Sequence, residues 1–329
     1  MSYKNTMRLI ASNFALVWKQ ALYFLLCFVL FVICTYEVSK PLIMLLKENG
    51  IFGEVNDTIN SVYAFRANIF ISFLETIKHI LNLIAMNFGS IYGSLILFFI
   101  FGMLLPYIFF QISIYNLSSI IYKKLSMNMN VRYIQNLIGS LKPSIKYALT
   151  NIVLGLPFWA IKILVFEIFL SISNTTFGTY IGMFMMVTIF VIVDSIRKTF
   201  FASYTGLSVE KDNASPITFG NSVPLTIKNF WNGLASSVIV ELTIVASNCF
   251  ICLFTFFSGA FVIIPASFVF VSIFYIVIYF NKSGQRYYLG NNYIFNPIKY
   301  TVKQDEYALK NSTPEEPIDE QISNLTKNK

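Results

Sequence analysis

The chain has 329 residues, of which 56% are hydrophobic and only 12% are charged, and its formal net charge at pH 7 is +8. An ordinary soluble domain has roughly 25% charged residues, so a chain with a mean hydropathy of +0.65 could not cover itself with polar surface in water. The composition excludes a soluble globular domain and indicates a membrane protein, and the length suits one polytopic domain.

The positive charge does not indicate nucleic-acid binding, because the cations lie in short loops beside apolar runs rather than on one basic face. In such loops, lysine and arginine set the orientation of a membrane protein and contact anionic lipid. We therefore expect membrane lipids of an anionic inner leaflet as partners, and no nucleic acid.

The N-terminal residues predict a short helix at the membrane surface that leads into the first span. One helical face of residues 1–19 carries apolar side chains, namely Met7, Ile10, Ala11, Phe14, Val17 and Trp18. The first span is predicted at residues 20–38, which is enough to cross about 30 Å of hydrocarbon. We expect it to be retained, because the apolar run is too long for a secretory signal and lacks a small-residue cleavage site.

Residues 39–89 are predicted to form the longest external region. Four cations and four carboxylates balance one another there, and an external loop tolerates zero net charge. Apolar residues between Val62 and Ile84 recur on one helical stripe, so we expect an amphipathic helix on the outer leaflet or capping the bundle. A seventh span is disfavoured, because four charged or ionisable side chains lie within the stretch.

Five further spans are predicted at residues 90–115, 148–170, 180–193, 233–256 and 261–280. Pro106 predicts a kink in the second span, because proline removes a backbone hydrogen bond. A short amphipathic stretch before the third span is expected to end at Pro143. Residues 194–228 are predicted to be a loop, because they contain Pro216, Gly220 and Pro224.

Lysine and arginine are concentrated in alternate loops. The stretch 118–150 carries five cations and no carboxylate, and cation-rich loops stay in the cytoplasm. The successive inner segments hold three, five, four and three cations, whereas two of the three outer loops hold none. We therefore predict an all-α, six-span transmembrane helical bundle in the cell membrane, with residues 1–300 as the transmembrane domain and both termini in the cytoplasm.

The C-terminal residues 301–329 lose the apolar pattern and contain six carboxylates. A segment of this composition cannot bury a core, so it is predicted to be a disordered cytoplasmic tail. Such a tail either keeps the chain soluble or binds a protein partner.

Three stretches at the starts of the odd-numbered spans are similar: VWKQALY at 17–23, SIKYALT at 144–150 and TIKNFWN at 226–232. We call them the span entrances. Each places a lysine at the inner interface, namely Lys19, Lys146 and Lys228. Three repeated hairpins of the same polarity would follow. The alternative is that a snorkelling lysine was selected at each span start, without common ancestry.

The three hairpins, the long outer region and the exit sequence NKSGQRYYLGNNYIFNP at 281–297 resemble uncharacterised six-helix membrane proteins of bacteria. These are distantly similar to the membrane domain attached to some glycerophosphodiester phosphodiesterases. The resemblance rests on layout and covers most of residues 1–300. It implies a bacterial membrane module and transfers no catalytic residue, because the phosphodiesterase domain has no counterpart here.

Ionisable residues inside spans are candidates for a functional site. Lys162 and Glu241 lie within the third and fifth spans, and Asp194 lies near an inner end. At about 1.5 Å per residue, Lys162 and Glu241 differ in depth by roughly 9 Å. They predict either a polar path between helices or two separate side chains that serve packing.

Cys249 and Cys252 form a CxxC in the outer half of the fifth span, and all four cysteines lie in spans. This argues against a secreted disulfide framework. The pair suggests thiol redox chemistry, whereas small cysteines also pack well between helices. His79 is the sole histidine, and no HExxH, Walker A or GxGxxG sequence occurs. We predict no metal, no cofactor and no catalytic residue.

Three functions remain open. The first is a non-enzymatic membrane module that organises partners or lipids, supported by a basic and aromatic inner rim with Arg286, Tyr287 and Tyr288. The second is a small-molecule transporter that uses Lys162 and Glu241. The third is a membrane thiol redox protein that uses Cys249 and Cys252.

Overall fold

The computed structural model describes residues 2–63, 69–172, 176–228, 230–255, 258–289 and 294–298. Helices dominate these residues. In chain order they are α1 (Ser2–Ser12), α2 (Ala15–Glu48), α3 (Ile51–Tyr63), α4 (Ile69–Met86), α5 (Phe88–Phe98), α6 (Leu105–Met127), α7 (Tyr133–Gly139), α8 (Leu141–Ile172), α9 (Thr176–Glu210), α10 (Pro216–Lys228), α11 (Phe230–Phe254) and α12 (Ala260–Ser283). A short antiparallel pair, β1 (Tyr287–Tyr288) and β2 (Ile294–Phe295), follows α12.

Six helical segments in these ranges are long and apolar enough to cross a membrane: α2, the combined α5–α6 segment, α8, α9, α11 and α12. This confirms the predicted all-α bundle with six spans. Several segments are longer than predicted, since α2 has 34 residues and α9 has 35, whereas about 20 suffice to cross the hydrocarbon.

The predictions based on Pro143 and Pro216 are wrong, and the helix of the first span continues past residue 38. Pro41 lies inside α2, which continues to Glu48. Pro143 lies in the first turn of α8, which begins at Leu141, and does not end the helix before it. Pro216 is the first residue of α10, a position where the missing N–H group would be unpaired in any case. Most of the predicted loop 194–228 is consequently helical.

The second span is irregular immediately before Pro106. Residues Phe99–Leu104 form a π-helical segment between α5 and α6. A proline ring clashes with the carbonyl group four residues earlier in an α-helix. For Pro106 this is the carbonyl group of Gly102, which lies inside the π-helical segment. The distortion expected at this place therefore takes the form of a π-helical turn.

The chain divides into two compact units. Unit 1 contains Met1–Phe24, Phe110–Phe158 and Val191–Lys329, and unit 2 contains Leu25–Phe109 and Trp159–Phe190. The predicted tail, 301–329, lies outside the described residues.

Helix α12 is at the centre of unit 1. Its most apolar stretch is 61% buried, whereas the other five membrane-length segments range from 6% to 22%. From Val269 to Phe280 nearly every side chain of α12 is buried, and a helix buried on all sides lies inside a bundle. The N-terminal helix α1 packs on α12 through the edge-to-face rings of Tyr3 and Phe270, whose centroids are 6.2 Å apart.

The short helices of unit 1 bury polar side chains and expose apolar ones. Helix α10 buries Thr218, Ser222 and Thr226, whereas Ile217 and Ile227 are 77% and 63% exposed. Helix α1 likewise buries Asn5 and Thr6. This inversion is expected where lipid is the solvent, because small and polar residues hold membrane helices together.

Unit 2 contains α3 and α4 in the predicted outer region; α4 covers most of the predicted amphipathic helix, and α3 precedes it. His79 Nδ1 on α4 lies 2.8 Å from Glu54 Oε1 on α3. Part of the predicted amphipathic stripe, residues 64–68, lies outside the described residues. Phe52 and Phe73 are each more than half exposed, as lipid-facing side chains would be.

Candidate functional site

A deeply buried ion pair joins α9 and α11 within unit 1. Lys198 Nζ contacts Glu241 Oε2, and the two side chains are only 15% and 11% exposed. By comparison, the pair between Lys40 and Glu37 on α2 is largely exposed. Buried charges of this kind are costly unless they are paired, which makes the Lys198–Glu241 pair the strongest candidate for a polar site.

Hydroxyl groups continue the polar contact between the same two helices. Thr199 Oγ1 lies 3.0 Å from Ser237 Oγ, and both side chains are fully buried. Ser237 and Glu241 are four residues apart on α11, so they lie on the same face. We call Lys198, Thr199, Ser237 and Glu241 the α9–α11 seam.

A second buried lysine lies near the seam. Lys282, near the end of α12, is 8% exposed, and its Nζ lies 3.4 Å from the carbonyl oxygen of Thr226. A Cβ atom at Gly233 would lie 3.1 Å from this Nζ and equally close to the Thr199 side chain. The absence of a side chain at Gly233 therefore allows Lys282 to lie against α11.

The carboxylates that follow the buried part of α9 serve as acceptors for buried hydroxyl groups. Glu210 accepts a hydrogen bond from Tyr279 and another, of 2.9 Å, from Gln285. Asp212 accepts one of 3.3 Å from Tyr115. These bonds fix the end of α9 to α6 and α12, so we interpret both carboxylates as structural.

A cluster of side-chain amides links α2, α6 and α7. Tyr133 donates a 2.9 Å hydrogen bond to the fully buried Gln20. Asn136 donates a 2.8 Å bond to Asn116 and accepts a 2.7 Å bond from Lys123. Buried amides that bond one another hold helices together in lipid. This cluster joins the first span entrance, residues 17–23, to the cation-rich stretch 118–150.

Glu241 contacts Lys198 on α9, a residue that the sequence analysis does not name as a candidate. Lys162 belongs to unit 2, where its Nζ lies 5.3 Å from the ring centre of Trp159 and 5.7 Å from that of Phe190. Asp194 is half-buried on α9, one turn before Lys198.

Lys198 was missed because residues 194–228 were predicted to be a loop. The useful signal was the absence of glycine and proline between Asp194 and Ser203. That stretch allowed the fourth span to continue, and it placed Lys198 inside a helix.

The predicted thiol pair is not bonded. All four cysteines carry free thiols; Cys249 is exposed on α11 and Cys252 is half-buried. Within the residues that the structure describes, no three histidine, cysteine, aspartate or glutamate side chains form a group that could hold a metal ion.

The three span entrances share one pattern of burial. Their first residues, Val17, Ser144 and Thr226, are all fully buried. Their second residues are bulky and exposed, with Trp18 at 57%, Ile145 at 41% and Ile227 at 63%. The lysines that follow, Lys19, Lys146 and Lys228, are all exposed.

The pattern extends one and two helical turns upstream of each entrance. Four residues earlier, Asn13, Ser140 and Ser222 are buried; eight residues earlier, Leu9, Asn136 and Thr218 are buried. Three segments thus place the same face against the core of unit 1. Compared as sequences, the span entrances share little beyond the lysine, as VWK and TIK illustrate. The common pattern of burial is visible only in the structure.

The residues of the predicted inner rim, 286–288, differ in exposure. Arg286 is exposed, whereas Tyr287 is buried. The Tyr287 hydroxyl accepts a 2.8 Å hydrogen bond from Asn5 and donates one of 3.1 Å to Asn281. Tyr287 therefore connects the β1–β2 hairpin to α1 and is not part of a lipid-facing surface.

No protein-family model, curated protein or solved structure matches this chain.

Proposed function

We propose that this protein is a non-enzymatic membrane module that gathers anionic lipids at the inner surface of a bacterial cell membrane. The observation that carries the proposal is the distribution of charge. Up to Ile298, unit 1 holds fourteen lysines and arginines but only four carboxylates. Unit 2 holds five cations and six carboxylates.

Three of the four carboxylates of unit 1 have partners within the protein, and its cations are in excess. Glu241 pairs with Lys198, Glu210 accepts two hydrogen bonds, and Asp212 accepts one. A surface with this imbalance attracts anions over a range of about one Debye length, roughly 8–10 Å at physiological salt. Phosphodiester groups of the inner leaflet are the anions nearest to it.

The span entrances provide the local chemistry for lipid contact. At each one, an exposed bulky side chain is followed directly by an exposed lysine, as in Trp18 and Lys19. The bulky side chain can lie at the boundary between the lipid headgroups and the acyl chains, while the lysine reaches the headgroup phosphates. Each such lysine contributes about 1 kcal/mol of attraction to an anionic leaflet.

Quenching of tryptophan fluorescence by brominated lipid tests the proposal. Trp18 and Trp231 lie beside Lys19 and Lys228, and they are 57% and 77% exposed. In mixed nanodiscs, brominated phosphatidylglycerol should quench the fluorescence more than brominated phosphatidylcholine at the same mole fraction. The excess of quenching by brominated phosphatidylglycerol over brominated phosphatidylcholine should fall in the triple variant Lys19→Gln, Lys146→Gln, Lys228→Gln.

The matched control replaces three lysines of unit 2, Lys40, Lys47 and Lys78, which the sequence analysis predicts to lie on the outer side. This variant should keep the excess quenching. Equal quenching by both lipids in the parent protein would refute the proposal, and so would an equal loss in both triple variants.

Transport of a small polar solute is a second candidate, and the α9–α11 seam favours it. A buried ion pair beside a hydroxyl pair is a form of intramembrane polar path. Uptake of solutes by proteoliposomes tests this function. A flux that Glu241→Gln abolishes, in a variant still purified in folded form, would support transport over the lipid module.

A further inference from the structure

The sequence after the last described residue, Ile298, contains a strongly acidic segment. Residues 311–326 carry four carboxylates, Glu315, Glu316, Asp319 and Glu320, and no lysine or arginine. These four are among the six carboxylates that follow Ile298. Unit 1 has the opposite excess, with fourteen cations against four carboxylates up to Ile298.

The acidic segment follows the last described residue of unit 1 by a short stretch of sequence. Glu315 follows Ile298 by seventeen residues, and a flexible chain of that length has a root-mean-square end-to-end distance of about 20–25 Å. Ile298 itself is held near the end of α12, because its side chain lies 3.2 Å from where a Cβ atom of Gly284 would be. The tail therefore starts at the same end of unit 1 as Lys282 and Arg286.

We propose that the acidic segment of the tail, residues 311–326, binds the exposed cations of unit 1 and competes there with anionic lipid. The inference rests on the proposed lipid function, because it makes the tail a regulator of the same surface. Carboxylates and lipid phosphodiesters are both oxygen anions, so one lysine such as Lys19 can serve either.

Attachment to the chain favours the tail over a dissolved competitor. A tethered segment acts at an effective concentration in the millimolar range, which is set by its linker. In a membrane with little anionic lipid, the tail then displaces lipid from the cations of unit 1. In a leaflet rich in anionic lipid, the lipid displaces the tail. The surface would become available to lipid only above a threshold content of anionic lipid.

Zero-length crosslinking with a carbodiimide tests for the contact directly. The reagent joins carboxylates to amines that touch, so the full chain is treated in nanodiscs of phosphatidylcholine holding one chain each. We expect peptides with residues 315–320 to be linked to lysines of unit 1, such as Lys19, Lys146 or Lys228. These links should be lost in high salt and when phosphatidylglycerol replaces part of the lipid. Lys40 and Lys47 of unit 2 serve as internal controls and should not be linked.

A charge-neutral tail tests for competition. The variant carries Glu315→Gln, Glu316→Gln, Asp319→Asn and Glu320→Gln. It should reach half-maximal quenching with roughly half as much phosphatidylglycerol, or less. The reason is that each lysine freed from the tail contributes about a fivefold preference for anionic lipid. The control variant neutralises the other tail carboxylates, Asp305 and Glu306, and should change this value much less.

The two proposals fail in different ways. If the parent protein shows no preference for brominated phosphatidylglycerol, the lipid function is wrong. If it shows that preference but the tail yields no crosslinks to unit 1, or the neutral tail leaves the half-maximal value unchanged, only the tail proposal is overturned.

Discussion

Removing one partner of the Lys198–Glu241 pair should destabilise the protein strongly. Both side chains are nearly enclosed between α9 and α11, at 15% and 11% exposure. Glu241→Gln removes the carboxylate charge that contacts the Lys198 ammonium group, and Lys198→Met removes the ammonium group that contacts the Glu241 carboxylate. In either variant, one charge remains in a place where little water can solvate it.

The expected cost of either single variant is roughly 3–5 kcal/mol, which is typical when one partner of a buried ion pair is removed. The double variant Lys198→Met, Glu241→Gln removes both charges and should recover most of that loss. Lys162→Met is the matched control, because Lys162 is half-buried over the rings of Trp159 and Phe190. Loss of a cation–π contact of this kind costs about 0.5–1 kcal/mol.

Thermal unfolding in detergent, followed with a thiol-reactive dye or by size exclusion after heating, measures these differences. At roughly 2–4 °C per kcal/mol, each single variant should lower the midpoint by about 6–20 °C, and the double variant by clearly less. The reasoning is refuted if Glu241→Gln lowers the midpoint no more than Lys162→Met does, or if the two single effects simply add in the double variant.

Three further predictions use other parts of the chain. Gly206→Ala should lower the unfolding midpoint, because its Cβ atom would collide with the ring of Tyr279, whereas Gly220→Ala, which meets nothing within 4 Å, should leave it unchanged or raise it; equal midpoints would contradict the close packing of α9 on α12. Maleimide labelling in detergent should modify the exposed Cys249 faster than the half-buried Cys252, without prior reduction; a requirement for a reductant would mean that they form a disulfide. Reporter fusions at the C-terminus and in the loop between α6 and α7 should lie on the same side of the membrane; opposite sides would overturn the topology.

The sequence predicted the spans because long apolar runs have one physical explanation, burial in hydrocarbon. It failed between Asp194 and Lys228, where proline and glycine were interpreted as helix breakers, although Pro216 begins α10 and Pro224 lies within it. Local composition cannot distinguish a proline that starts a helix from one that ends it. That distinction depends on which N–H groups have partners.

The polar site was harder to predict than the fold, because charges are paired by tertiary contacts. Glu241 was identified from its place in an apolar run, but its partner Lys198 lay in a supposed loop. The buried faces of α7 and α10 were also hidden, since hydrophobic periodicity assumes that apolar residues point inward. Thr218 and Ser222 point inward here, and Ile217 does not.

The position of α12 at the centre of unit 1 has a consequence for biosynthesis. Asn5 on α1 donates its hydrogen bond to Tyr287, which is 282 residues later in the chain. At about 5–20 residues per second, α1 leaves the ribosome roughly 15–55 s before its permanent partner is synthesised. During that interval Asn5 and Thr6 have no core to enter, so α1 must wait at the membrane surface or bind a chaperone until the last span is inserted.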